Sequence, residues 1–139
     1  MTYREILNSS IRMVGESDEN GNSSDYEERA SYLLATFCTE CAALDKKYRI
    51  ANEMSASNFS AKAYVELEDS FPLCDVFSPA ATYYLAAMLV LEENEDMSEA
   101  LFARYSDALA ALTPVSTPTP SSTPATCKPI VNRYPFLMD

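Results

Sequence analysis

Residues Ser78 to Glu93 limit what this chain can fold into more than any other stretch. From Ala80 to Leu91 only Thr82 is polar. Pro79 suits the first position of a helix, and the Ser78 hydroxyl before it can accept from free helix N–H groups. A helix that is apolar on every side has to be covered on every side. This one is too short to cross a bilayer, which takes ~20 apolar residues. It is therefore expected to be the central helix of a small helical body, with the rest of the chain arranged around it.

The flanking sequence supplies the expected cover. Thr2 and Glu5 form a capping box, and Tyr3, Ile6, Leu7, Ile11 and Val14 follow at helical spacing. That predicts a first helix from Tyr3 to Val14, stopping near Gly15. Residues 16–23 are polar and acidic and read as a loop. Ser24 and Glu27 form a second capping box. Tyr26, Ala30, Leu33, Phe37, Cys41, Leu44, Tyr48 and Ala51 then alternate in steps of four and three. This is one long helix with a single apolar stripe. Lys46, Lys47 and Arg49 in its last turns suit the negative end of the helix dipole. After the central helix, Ser98 can cap a fourth helix, whose stripe is Leu101, Tyr105, Ala108, Leu109 and Leu112. The short link between the last two helices predicts an antiparallel pair.

Residues 52–70 do not fit that scheme. Ala61, Ala63, Val65 and Leu67 alternate with Lys62, Tyr64, Glu66 and Glu68, which is the period of a short strand. No second strand pattern lies nearby. The segment is either an extended loop or pairs with something outside the chain.

The expected fold is all-α: a bundle of about four helices over residues 1–112, followed by an extended Pro-rich arm. Pro114, Pro118, Pro120 and Pro124 punctuate a Ser/Thr-rich linker over 113–126. Such a segment favours extended polyproline geometry and reaches roughly 40 Å. Residues 127–139 form an apolar and aromatic tail. It reads either as a frayed terminus or as a docking segment at the end of a spacer, with Ile130, Val131, Tyr134, Phe136 and Leu137 as the side chains that would meet a partner.

Charge and composition narrow the chemistry. The chain of 139 residues carries a net charge of −11, and 47% of its residues are hydrophobic, enough for a real core. Only Lys128, Arg133 and Asp139 are charged after residue 112, so residues 1–112 carry −12. A phosphate backbone is repelled by such a surface, so direct sequence-specific nucleic-acid binding is not expected. There is no histidine, the commonest general base and metal ligand, and glycine occurs twice, which leaves no phosphate-cradling loop. The start of the chain has no charged lead followed by a long apolar run, so no signal peptide is read. The triplets at Asn8, Asn22 and Asn58 are then chance matches, and the four cysteines are expected to be thiols in a reducing setting.

Three constellations remain. Cys38-Thr39-Glu40-Cys41 is a CxxC, half of a zinc site or a redox pair. It lies mid-helix with no second pair and no histidine, so two buried apolar thiols are the simpler reading. Glu92, Glu93, Glu95 and Asp96 could attract a divalent cation, but a solvated turn and a favourable start to the fourth helix account for them. Tyr83 and Tyr84 read as core or interface aromatics. No residues stand in a catalytic frame. The expectation is a non-enzymatic protein with no cofactor and no metal.

Phe71-Pro72-Leu73, the run from Pro79 to Ala87, Glu92-Glu93-Asn94, and Phe102, Tyr105, Ala108 and Leu109 together form a pattern of helix, acidic turn and helix. In this pattern residues 71–112 resemble the small helical head–tail connector proteins of tailed bacteriophages, the adaptor or head-completion family. The resemblance implies a virion protein assembled in the bacterial host cytoplasm. It implies self-association into a ring under the portal protein, and a platform for tail or stopper proteins. It also implies that an extended C-terminal arm can grip a neighbour or the portal, a role the tail would suit. An acidic wall would suit a channel along which DNA slides. The competing reading from charge alone is a small soluble acidic regulator that occupies a nucleic-acid-binding protein.

Overall fold

A computed structural model describes residues 1–15 and 23–113. The linker beyond Thr113 and the tail, with Ile130, Val131, Tyr134, Phe136 and Leu137, lie outside the described residues. Within them the protein is an all-α bundle of four helices: α1 (Tyr3–Met13), α2 (Ser23–Ala51), α3 (Ser78–Val90) and α4 (Glu95–Leu112). A short 3-10 turn, Asp75–Phe77, leads into α3.

α3 is the axis. Ala80, Ala81, Thr82, Leu85, Ala86, Ala87, Leu89 and Val90 are all buried. The other three helices pack on it. Arg29 reaches the Met88 carbonyl, Phe37 meets Tyr84, and Tyr48 meets Phe77, so α2 runs antiparallel to α3. Ser98 meets Ala87 and Tyr105 meets Tyr84, so α4 is also antiparallel to α3, as expected. It follows that α2 and α4 end at the same pole of the bundle, beside the 3-10 turn. On α1, Ser10 rests against the Thr82 carbonyl at 3.1 Å, and Val14, just past its end, packs on the cluster of Ala86, Ala87, Val90 and Leu101.

Small residues set the close approach of α3 and α4. Ala86 and Ala87 present almost no side chain, which lets the buried Ser98 hydroxyl donate to the Ala87 carbonyl at 2.9 Å. Ser98 is therefore an interior packing residue and not the cap of α4. The cap is Asn94, whose side-chain oxygen accepts from the Met97 N–H at 3.0 Å. Ser78 likewise does not cap α3. The 3-10 turn feeds straight into the helix, so Ser78 already has helical angles, φ −65° and ψ −37°, rather than the extended geometry a cap needs. α2 starts at Ser23, one residue before the expected cap at Ser24.

The strand-like segment has an unexpected partner. Four N–H groups at a helix start lack intrahelical acceptors. At α1, Thr2 and Glu5 satisfy each other through the capping box. The Tyr3 and Arg4 N–H groups donate to the carbonyls of Asp69 (3.2 Å) and Leu67 (2.9 Å). The Phe71 N–H returns a bond to the Met1 carbonyl at 2.8 Å. Residues 67–71 thus pair with the start of a helix inside the chain, while the Val65 N–H donates to the Ser31 carbonyl on α2. One isolated bridge, Thr2 to Ser70, is all the β structure among the described residues. The alternation survives only at Val65 and Leu67, which are buried, whereas Ala61 and Ala63 are exposed.

Phe37 ties the elements together. Its ring lies 6.4 Å from Phe71, 5.7 Å from Tyr84 and 6.2 Å from Tyr105, and Tyr3 stands edge-on to Phe71 at 6.0 Å. Phe37→Ala empties the one point where α2, α3, α4 and the 65–71 segment meet. We expect a loss of about 3–5 kcal/mol in urea unfolding. Tyr32→Ala, on the open face of α2, should cost less than about 1 kcal/mol. Equal losses for the two would contradict this assignment of the core.

Candidate functional site

The sequence candidates separate by burial. Cys38 and Cys41 are both buried in the face of α2 turned to the core. The Cys38 sulfur lies 3.9 Å from the Tyr3 hydroxyl. Desolvation pushes the Cys38 thiol up to about 12 and the Cys41 thiol up to about 11. Such thiols stay protonated and unreactive near neutral pH. Cys74, also buried, is raised too, again chiefly by burial. Among the described residues no group of His, Cys, Asp or Glu side chains is placed to hold a metal ion. No helix among them is long and apolar enough to cross a membrane.

Glu92 and Glu93 are exposed in the turn between α3 and α4, and Glu95 and Asp96 are exposed in the first turn of α4. There they complement the positive end of the helix dipole. Because α2 is antiparallel to α3, Asp25 and Glu28 at its start add to the same acidic end. Tyr84 belongs to the core cluster around Phe37, and burial raises its hydroxyl above the usual tyrosine range. Tyr83 is half-buried, with the Arg104 guanidinium 6.0 Å over its ring.

The opposite pole holds a constellation that the sequence reading passed over. Asp45 is 2% exposed. One carboxylate oxygen accepts from Arg49 Nε at 2.8 Å, and the other from the Cys74 N–H at 2.9 Å. Arg49 also donates to the carbonyls of Ser55 (2.9 Å) and Pro72 (3.2 Å), and the Ser57 hydroxyl donates to the same Pro72 carbonyl. This ion pair clamps two distant loop segments to the end of α2. Its signal was present in the sequence. Asp45 follows Cys41 by four residues and precedes Arg49 by four, so a carboxylate stands at the edge of the apolar stripe with a cation one turn on. Arg49 is therefore a clamp, and only Lys46 and Lys47 of the three cations remain as exposed charges at the helix end.

The clamp shapes a groove. Beyond Ala51 the chain reverses through Glu53, whose φ is 55°, and the Met54 N–H bonds back to the Arg49 carbonyl at 2.8 Å. This six-to-one bond is a helix-ending motif that glycine normally serves. It turns Met54 beside Ile50. Together with Ala42, Lys46, Phe59 and Leu73 they line an apolar groove of about 480 Å³. Ile50 is 68% exposed, the most open large apolar side chain among the described residues, and Met54 is 46% exposed. Exposed apolar side chains set together in a concavity mark a place for another surface to dock. A second cavity of about 480 Å³ across Phe59 has a mixed lining, with Ser57, Asn58, Lys62 and Asp69 beside Tyr3, Val65 and Pro72.

No protein-family model, curated protein or solved structure matches this chain. The four-helix bundle, the acidic end and the apolar groove at the other pole are what its own residues establish.

Asp45→Ala would leave the Arg49 charge and the Cys74 N–H without their acceptor. Breaking one side of a buried pair costs about 3–5 kcal/mol. Asp45→Asn keeps an oxygen for the Cys74 N–H and should lose less. Chemical denaturation of the two variants reads the order, and a neutral Asp45→Ala would mean that the clamp does not hold the loop.

Proposed function

We propose that the chain is a non-enzymatic structural protein of a tailed-phage virion, a head–tail connector subunit. In this reading copies of the bundle assemble into a ring under the portal protein and offer a platform to tail or stopper proteins, after assembly in the host cytoplasm. The observation that carries it is the α3–α4 unit. Its apolar helix, acidic turn and second helix, which carry the resemblance, fold as one closely packed antiparallel pair, held by the Ser98–Ala87 contact. The half-buried stripe of Tyr105, Ala108, Leu109 and Leu112 leaves one flank of α4 partly open for a neighbour. The acidic end supplies the repulsion toward DNA that a channel lining needs. The tail supplies the attachment, with Ile130, Val131, Tyr134, Phe136 and Leu137 as anchors.

Deleting residues 113–139 tests the attachment. The shortened protein should keep the helical circular-dichroism signal of the parent and lose binding to the portal. Portal binding at parental strength would refute the docking arm.

A second reading is favoured by one observation, the gathering of exposed carboxylates at the α3–α4 end. There the protein is a soluble acidic regulator that covers a basic, nucleic-acid-binding partner with that end. A complex that forms without the tail and weakens steeply between low and high salt would support it over the connector. A salt-insensitive complex that needs the tail would reject it.

A further inference from the structure

The groove at the end of α2 is a built concavity with two open apolar side chains, and the chain itself carries an apolar segment able to fill it. We propose that in the free subunit this groove is occupied by the chain's own terminal segment, Ile130 to Leu137. The inference goes beyond the connector reading and stands without it.

Three observations point to that occupant. The first is where the described chain ends. α2 and α4 are both antiparallel to α3, so Thr113 leaves the bundle at the same pole as Ile50 and Met54. The second is length. A spacer over 113–126 reaches roughly 40 Å when extended. A bundle of this size has a radius of gyration of about 13 Å, so the tail can reach any point on that pole. The third is chemistry. Ile130, Val131, Tyr134, Phe136 and Leu137 match a groove whose apolar lining is Ala42, Ile50, Met54, Phe59 and Leu73.

Magnitude decides between the chain's own tail and that of a second copy. A tether of this kind holds its end at an effective concentration in the millimolar range. A segment that would bind as a free peptide at ~0.1 mM is then about nine-tenths bound within its own chain. At micromolar protein a second copy's tail fills only a few per cent of such sites. A partner that binds the tail more tightly draws it out and leaves Ile50 and Met54 open, so docking of the tail elsewhere and exposure of the groove are coupled.

Met54 reports the groove directly, because Met1 and Met13 are comparably exposed reference side chains outside it, at 53% and 42%. The experiment measures peroxide oxidation of each methionine by mass spectrometry on the full chain and on the full-length triple variant Tyr134→Ser, Phe136→Ser, Leu137→Ser. With the groove about nine-tenths occupied, Met54 should oxidise about tenfold faster in the variant, with Met1 and Met13 unchanged. The protection should be equal at 1 µM and at ~100 µM protein, as an intrachain contact requires. Equal Met54 rates in parent and variant overturn the proposal. Protection that appears only at the higher concentration assigns the groove to a second copy and overturns it as well. Neither result depends on portal binding, so the connector reading and this one fail separately.

Discussion

Everything in this structure answers to the burial of α3. A helix with apolar residues all round gains nothing from lying at a surface, and it is stable only when neighbours remove water from every side. α1, α2 and α4 divide that work. α2 contributes its long face with Phe37 at the centre, α4 comes close where α3 presents Ala86 and Ala87, and α1 lies along the Thr82 side. The size of the side chains sets the distances. Alanines draw α4 inward, while Leu85 and Leu89 fill the core.

Close approach buries polar groups, and the chain handles each one locally. Ser10 and Ser98 are wholly buried, yet each hydroxyl lies on a carbonyl of the central helix. Asp45 is the costly case, since a buried carboxylate is tolerated only with a partner and full hydrogen bonding. Arg49 and the Cys74 N–H provide both. The return is positional: two loop segments are fixed against the end of α2, and the groove under Met54 and Ile50 takes its shape from them. The interactions that stabilise this pole are thus the ones that shape its apolar groove.

Legibility followed the range of the interactions. The capping box at Thr2 and Glu5, the stop at Gly15 and the unbroken apolar run of α3 are local patterns, and each appears where the residues place it. The stripe on α2, by contrast, is buried at Tyr26, Ala30, Phe37 and Cys41, is shared with Leu34 and Cys38, and ends before Ala51, which is exposed. Ser78 and Ser98 do not cap α3 and α4, and a serine near a helix start looks the same in sequence whether it caps that helix or packs inside the fold. The 3-10 turn and the Ala86–Ala87 patch decided between those roles, and neither is visible from the serine itself. Residues 61–68 have a strand's alternation, but the carbonyls of Leu67 and Asp69 pair with the free N–H groups of α1, a partner more than sixty residues away in sequence. Asp45 escaped notice because its second acceptor role depends on Cys74, 29 residues on. For the site, the acidic end could be read from Glu92 to Asp96, whereas the groove required the reversal at Glu53. The tail residues Ile130 to Leu137 lie outside the described residues, so the proposal that they are anchors rests on their chemistry alone.

Native-state hydrogen exchange tests the central claim most directly. If α3 is the axis on which the fold depends, amides from Leu85 to Leu89 should exchange only through global unfolding, at the free energy found by denaturant titration. Amides in the last turn of α4 and in residues 54–62 should exchange through smaller openings. Exchange of the α3 amides as fast as those of the α4 end would contradict the account, because a helix that opens by itself cannot be the element that the others are folded around.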